Sequence, residues 1–545
     1  MRSRRLVLLT LSAIAAGALL FPALASATPE PAWSIRSLAV PTNFVPGDLA
    51  NDYFYELTAA NNGGDRTDGT DIVITDTLPA GLTVKSVDLF VRAGTVDINP
   101  GNSACDVVTD AEEVSTVTCT VTESGAVGDE TEPAKIWPGE QIRAVVHVST
   151  PPAISGSLQN QAAVSGGGAA AASVGSTNAA STALPGSDLA EFSADFTDEE
   201  GLTVTQAAAH PFAFTTSFGV NTVKAPPGSL APLIPAAGDL KEIEVALPPG
   251  IAGNPTATTQ CTGQDFNTPH AFSPRPGLNI FGNLCPNSSV VGFVVIQQVE
   301  GISLVSPVPL YNLVPPKGMP AQLGFQVAGA PIYINTKLRT GSDYGVTSYV
   351  KNTSEAKRVT AASITIWGNP SAAAHDRLRG TCLSTSGSFS LGECPAGIDE
   401  VKPFFRLPTS CSAALLTTMR FDTWVLPGTF AARGAGAPSP TGCNQVEFKP
   451  AIEAQPTTNV ADSPSGLKVD LEIPQPQDTA LGEADLRNVS VTLPNGLYVN
   501  PSSAAGLTGC SEAEVDLHGE GPANCPSSSK VGTVSIDTPL LDHPV

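Results

Sequence analysis

Charged residues are scarce in this 545-residue chain: Asp, Glu, Lys and Arg make up 14% of it, against roughly 25% in an ordinary soluble domain. Basic residues are the scarcer kind, 28 against 51 acidic ones, for a net charge of -23. Without a basic patch nothing displaces phosphate counterions, which argues against nucleic acid and anionic membrane surfaces as partners. Helical periodicity is nearly missing too. So are C-x-x-C pairs and paired histidines, the spacings that mark zinc sites. The H-E-x-x-H, G-x-S-x-G, G-x-x-x-x-G-K-[ST] and G-x-G-x-x-G signatures of common enzymes are also absent. No metal, cofactor or catalytic residue is therefore expected. Beyond Leu20 no apolar run reaches membrane length, so no span is expected in the mature region.

What is present starts at the amino terminus. Arg2, Arg4 and Arg5 precede an uncharged apolar stretch from Leu6 to Leu20, and Ala25-Ser26-Ala27 follows. This is the pattern of a cleaved signal peptide, with a mature chain beginning near Thr28 and a secreted, extracellular or cell-surface location. Ser3-Arg4-Arg5-Leu6-Val7 also resembles a twin-arginine signal, so both export routes stay open. The ten cysteines are an even number in an exported chain, for which disulfides are the default. Nearest-neighbour pairing joins Cys105 to Cys119, Cys261 to Cys285, Cys382 to Cys394, Cys411 to Cys443 and Cys510 to Cys525. Closing each such loop contributes about 2–4 kcal/mol.

Period-two alternation recurs where helical spacing does not: Tyr53, Tyr55, Leu57; Ile142, Ala144, Val146, Val148; Phe212, Phe214, Thr216, Phe218; Leu467, Val469, Leu471, Ile473. These read as half-buried strands. Gly and Pro, 50 and 48 in number, supply turns such as Asn61-Asn62-Gly63-Gly64 and Pro226-Pro227-Gly228. Gly166 to Ala180, rich in Gly, Ala and Ser, reads as the end of a module leading into a flexible linker. One block occurs twice. Leu240 to Gly250 (ending Leu-Pro-Pro-Gly), Asn254-Pro255, Cys261 and Cys285 to Gly292 return as Leu486 to Gly496 (ending Leu-Pro-Asn-Gly), Asn500-Pro501, Cys510 and Cys525 to Gly532. Repetition at this spacing argues for an array. The fold class expected is all-β, tandem immunoglobulin-like and related β-sandwich modules after a cleaved signal peptide. The expected divisions are a signal peptide over 1–27, an immunoglobulin-like sandwich with its linker over 28–185, repeat copy one over 186–335, a β-rich middle module over 336–450 and copy two over 451–545. The second copy stops before its expected later strands, so the chain reads as a fragment of a longer protein.

Asp71-Ile-Val-Ile-Thr-Asp76-Thr-Leu-Pro-Ala-Gly81-Leu resembles the conserved repeat family known as domain of unknown function 11. The resemblance runs from about Pro31 to Thr182 and includes Tyr53 to Asn62, Trp137-Pro138-Gly139-Glu140 and Leu158 to Ser165. It implies an immunoglobulin-like sandwich on secreted or surface proteins, without enzymatic activity. From about Ala209 onward the chain resembles uncharacterised repetitive exported proteins of actinobacterial type, through Leu-Pro-x-Gly, Cys-Pro-x-Ser-Ser-x-Val-Gly, Ile364 to Pro370 and Leu407 to Cys411. That group implies no catalytic residue.

Four further candidates need weighing. His375-Asp376 sets a His beside a carboxylate, but sequence neighbours point different ways. Asp65, Asp68 and Asp71 offer oxygens to calcium, although Thr67 stands where a ligand should; a solvated hairpin turn is the plainer reading. Leu426 to Phe430 has a sortase-like start and no apolar tail, and reads as a strand terminus. Trp367, Trp424, Tyr344, Tyr349 and Phe404-Phe405 would stack sugars if exposed in a row, or fill a core. The function expected is a non-enzymatic structural or adhesive protein, with an unknown surface protein or cell-wall glycan as partner. The alternatives are a carbohydrate-binding array or the non-catalytic part of a secreted hydrolase. Ligand and oligomeric state stay open.

Overall fold

The computed structural model describes residues 29–538 except 49–51, 94–95, 99–104, 128–129, 226–232, 276–277, 299–302, 305–306, 328, 341–342, 356–357, 381, 383–393, 399–400, 476–480, 494, 499–504 and 517–522. The expected signal peptide and the Pro226-Pro227-Gly228 turn lie outside the described residues. The fold is all-β, and among the described residues no helix is long and apolar enough to cross a membrane.

The first module is a sandwich. One sheet has the order Trp33–Val40, Tyr53–Asn61, Gln141–Ser149, Thr83–Ala93, Val96–Ile98; the other has Asn43–Phe44, Ala169–Ala180, Gly156–Gly166, Ile72–Thr77, Ser115–Val121, Cys105–Thr109. Alternation places Tyr55, Leu57, Ile74, Val117, Val146 and Val164 in one core between them. The Gly/Ala/Ser run is not a linker. Ala169–Ala180 pairs antiparallel with Gly156–Gly166 across a turn in which Gly167 and Gly168 take φ of 68° and 76°. A ladder is made by backbone groups, and Ala172 and Val174 add apolar contact with the core, so low side-chain bulk does not prevent a strand.

From Leu189 to Ala437 the chain makes one antiparallel sheet whose order is Leu189–Thr197, Ala213–Val220, Val359–Trp367, Val290–Gln298, Val308–Leu313, Gln322–Val327, Ala330–Leu338, Val346–Lys351, Leu240–Ala246, Leu415–Thr423, Ala431–Ala437. Its two edge strands lie against each other. Arg433 on the last donates through Nη1 to the carbonyls of Leu189 (2.9 Å) and Ala190 (3.0 Å) on the first. The sheet therefore closes on itself. It also crosses the division expected at 335/336, which falls inside Ala330–Leu338, because Val359–Trp367 inserts between Ala213–Val220 and Val290–Gln298. Pairing between strands so distant in the chain leaves no mark in local periodicity.

A second apolar cluster gathers Phe266, Tyr311, Phe293, Trp367 and Leu378 with Cys261 and Cys285. Five disulfides are formed: Cys105–Cys119, Cys261–Cys285, Cys382–Cys394, Cys411–Cys443 and Cys510–Cys525. The sandwich docks on the closed sheet through the Arg36–Glu191 ion pair, Thr42 N to Thr222 O (3.1 Å) and Gly64 N to Glu199 O (3.0 Å). Copy two contributes an exposed hairpin, Ala451–Pro456 with Leu467–Glu472. It is tied back by Gly482 N to Ala208 O (3.1 Å), Ala484 N to Glu447 O (2.8 Å) and the Arg406–Asp485 pair.

Candidate functional site

The register of the closed sheet dictates what lies inside it. Phe214 faces Ile366, Thr216 faces Ile364 and Phe218 faces Ala362 across one ladder, and Val294 and Ile296 face the same Ile364 and Ala362 across the next. On the opposite wall Ile243 faces Val350, and Leu323 and Phe325 face Ile334 and Ile332. Every one of these positions but Thr216 is apolar, and all turn to the same side. A barrel of about eight strands is just filled by such side chains, whereas wider ones enclose space. This sheet has eleven strands on its main path. Accordingly Ile243, Val245, Leu247, Ile332, Val350, Ile364 and Ile366 pack against the core yet stay only partly buried.

What they face is a cavity of about 1410 Å³. It runs the height of the sheet: Val359 and Ile366, seven residues apart on one strand, both line it, a span of about 23 Å at ~3.3 Å per residue. Thr216 and Ser348 are polar members of the wall. The end near Gly250 carries Asn254, Arg406 and Asp485, and the opposite end Lys351, Asn352, Thr353 and Ser354; His210 Nδ1 lies 3.2 Å from the Phe405 carbonyl. Copy two adds Val469, Leu471, Ile473, Val534 and Ile536 to the lining. Val534 and Ile536 are the repeat counterparts of Val294 and Ile296, each two and four residues after the Gly that ends Cys-Pro-x-Ser-Ser-x-Val-Gly. Left empty, even a tenth of such a volume would cost about 3 kcal/mol, so the wall is chemically suited to holding apolar matter.

Of the residues singled out by sequence, Tyr344, Tyr349, Phe404 and Phe405 line this cavity, whereas Trp367, Trp424, His375, the Asp65, Asp68 and Asp71 set and Leu426 to Phe430 do not. His375 is buried, its ring stacked on Trp367 at 4.2 Å and 8°, and burial holds its pKa well below the usual imidazole value. Asp376 instead accepts from Arg379 Nε at 3.0 Å. Arg379, with no exposed side-chain surface, also donates to the carbonyls of Pro370 and Ala372, which makes this loop a hydrogen-bonded clamp. Asp68 Oδ1 accepts from Thr70 N (2.8 Å) and Oγ1 (2.6 Å), bonds that lower its pKa. Among the described residues no three His, Cys, Asp or Glu gather as a metal site. Leu426 to Phe430 forms the turn between Leu415–Thr423 and Ala431–Ala437, closed by Thr429 N to Leu426 O at 3.1 Å. The aromatics make no row: Trp367, Phe404 and Phe405 are buried, Tyr344 is exposed, and Trp424 donates to the Thr353 carbonyl beneath Lys241. Sequence reading placed Ile243, Val245 and Leu247 toward a core but missed the cavity, whose other wall comes from strands a hundred residues away.

One buried titratable group stands apart, in the first module. Asp76 is fully buried beside Tyr55 and accepts from Asn160 Nδ2 at 2.6 Å. Desolvation by burial pushes its carboxyl up to about 7, against the opposing hydrogen bond from Asn160.

No protein-family model matches the chain, and no curated protein does. Among solved structures it is similar to the C-terminal domain of the Streptococcus agalactiae antigen I/II polypeptide BspA, at 11% identity over 75% of this chain and 100% of that one, with a TM-score of 0.19. It is also similar to a collagen-binding domain from a Staphylococcus aureus adhesin (14%, 26% and 95%, 0.18) and to a C-terminal fragment of the S. agalactiae major pilin GBS80 (10%, 75% and 91%, 0.19). TM-scores this low do not establish a common fold.

Proposed function

We propose that this is an exported, non-enzymatic structural or adhesive protein of the cell surface, in which rigid β modules serve as spacers and display units. The observation that carries the reading is the placement of the disulfides. Cys105 and Cys119 sit directly opposite each other on adjacent strands, and the other four bridges each close a loop of 12 to 32 residues inside one module. Such bridges limit local unfolding without joining modules, which suits a chain under load outside the cytoplasm. In its residue pattern the 31–182 module resembles the domain of unknown function 11 family. A glycan-stacking array is not supported, since Trp367, Phe404 and Phe405 point into cores.

Two measurements test this. A membrane-impermeant biotin reagent applied to intact cells that make the protein should label it. Pulling the purified chain from both ends should release more contour length after reduction, by about 3.5 Å per bridged residue. Unlabelled protein with free thiols in the cytoplasm would sink the reading.

A further inference from the structure

We propose that the closed sheet is a lipid-binding barrel whose cavity takes a long aliphatic chain. This inference stands independently of the structural or adhesive reading. Three observations carry it. The wall is built of inward Val, Ile, Leu and Phe from register pairs on both sides, and several of these side chains keep part of their surface open to the interior. Apolar cavities do not hold ordered water, because a buried water needs two to four polar partners. Polar side chains such as Thr216, Asn335, Thr336, Ser348 and Asn352 are a minority of the lining of this space of about 1410 Å³. The cavity also exceeds the roughly 300–1,000 Å³ of ordinary small-molecule pockets.

Its length argues for a chain-like occupant. Half the hydrocarbon core of a bilayer is about 15 Å, so an acyl chain from one leaflet fits within the span from Val359 to Ile366. The end with Arg406, Asp485 and Asn254 accepts the headgroup of an amphiphile. Copy two adds Val534 and Ile536, the repeat counterparts of Val294 and Ile296, to the apolar lining. The occupant is thus an aliphatic chain rather than a compact aromatic ligand, and each repeat carries the residues to line such a space.

The test uses the full mature chain and cis-parinaric acid, whose fluorescence rises in apolar surroundings. One probe should bind per chain, displaced by palmitate if a free acid is the ligand, or only by phosphatidylglycerol micelles if the chain belongs to a membrane lipid. Ser348→Trp and Thr216→Phe fill the cavity from opposite walls and should each weaken binding at least tenfold while the melting temperature and near-UV spectrum stay native. Val531→Ser, exposed and off the lining, should change nothing. Absence of binding, several non-competable probes per chain, or unchanged affinity in folded Ser348→Trp would overturn the proposal. If both filling variants fail to fold, native mass spectrometry of the wild-type chain decides: one retained palmitate supports the site and none refutes it.

Discussion

At the scale of single residues, burial sets chemistry more than identity does. Asp76 shares its strand parity with the inward Ile72 and Ile74, whereas Asp71 precedes the strand and is exposed, so only Asp76 sits between the two sheets. Its folded carboxyl keeps a proton up to about pH 7, whereas an unfolded one releases it near 3.8. The stability contributed by this group is therefore highest in acid and falls as pH rises from about 4 to 7, by at most about 1.4 kcal/mol per pH unit. Above about 7 this contribution levels off. Asp76→Asn should flatten that slope in urea titrations at pH 5 and pH 8, and should be the more stable chain at pH 8. His375 teaches the same lesson, since a His beside an Asp became an aromatic packing element once Trp367 lay under it.

At the scale of elements, the repeated blocks now have physical reasons. The Val-Gly of Cys-Pro-x-Ser-Ser-x-Val-Gly is one of them: a Cβ on Gly292 would lie 2.0 Å from the Thr365 carbonyl oxygen of the neighbouring strand. Gly292→Ala should therefore cost about 1–3 kcal/mol, read as a lowered thermal midpoint without loss of the Cys261–Cys285 bridge. Alternation revealed most strands, including Tyr53–Asn61 and Gln141–Ser149, because a half-buried strand must alternate. It failed at Ala169–Ala180, where small side chains hid a strand whose hydrogen bonds come from Gly156–Gly166.

At the scale of the whole molecule, closure is the decisive event. The seam between Leu189–Thr197 and Ala431–Ala437 has no backbone ladder among the described pairings, and Arg433 bridges it with two hydrogen bonds to carbonyls. Charge-assisted bonds of this kind contribute about 1.5–3 kcal/mol each. Arg433→Ala should raise amide exchange in Leu189–Thr197 and leave the first sandwich protected; equal exchange throughout would show that the seam is held by packing alone.

The sequence by itself determined the strand-rich class, the pairing of neighbouring cysteines and the existence of a repeat, because alternation, parity and self-similarity are written locally. It could not determine that the expected modules at 186–335 and 336–450 share one sheet, or that this sheet encloses a cavity. Those follow from which distant strands pair and how many join the ring, and strand number rather than any residue decides whether a barrel's interior is filled or hollow.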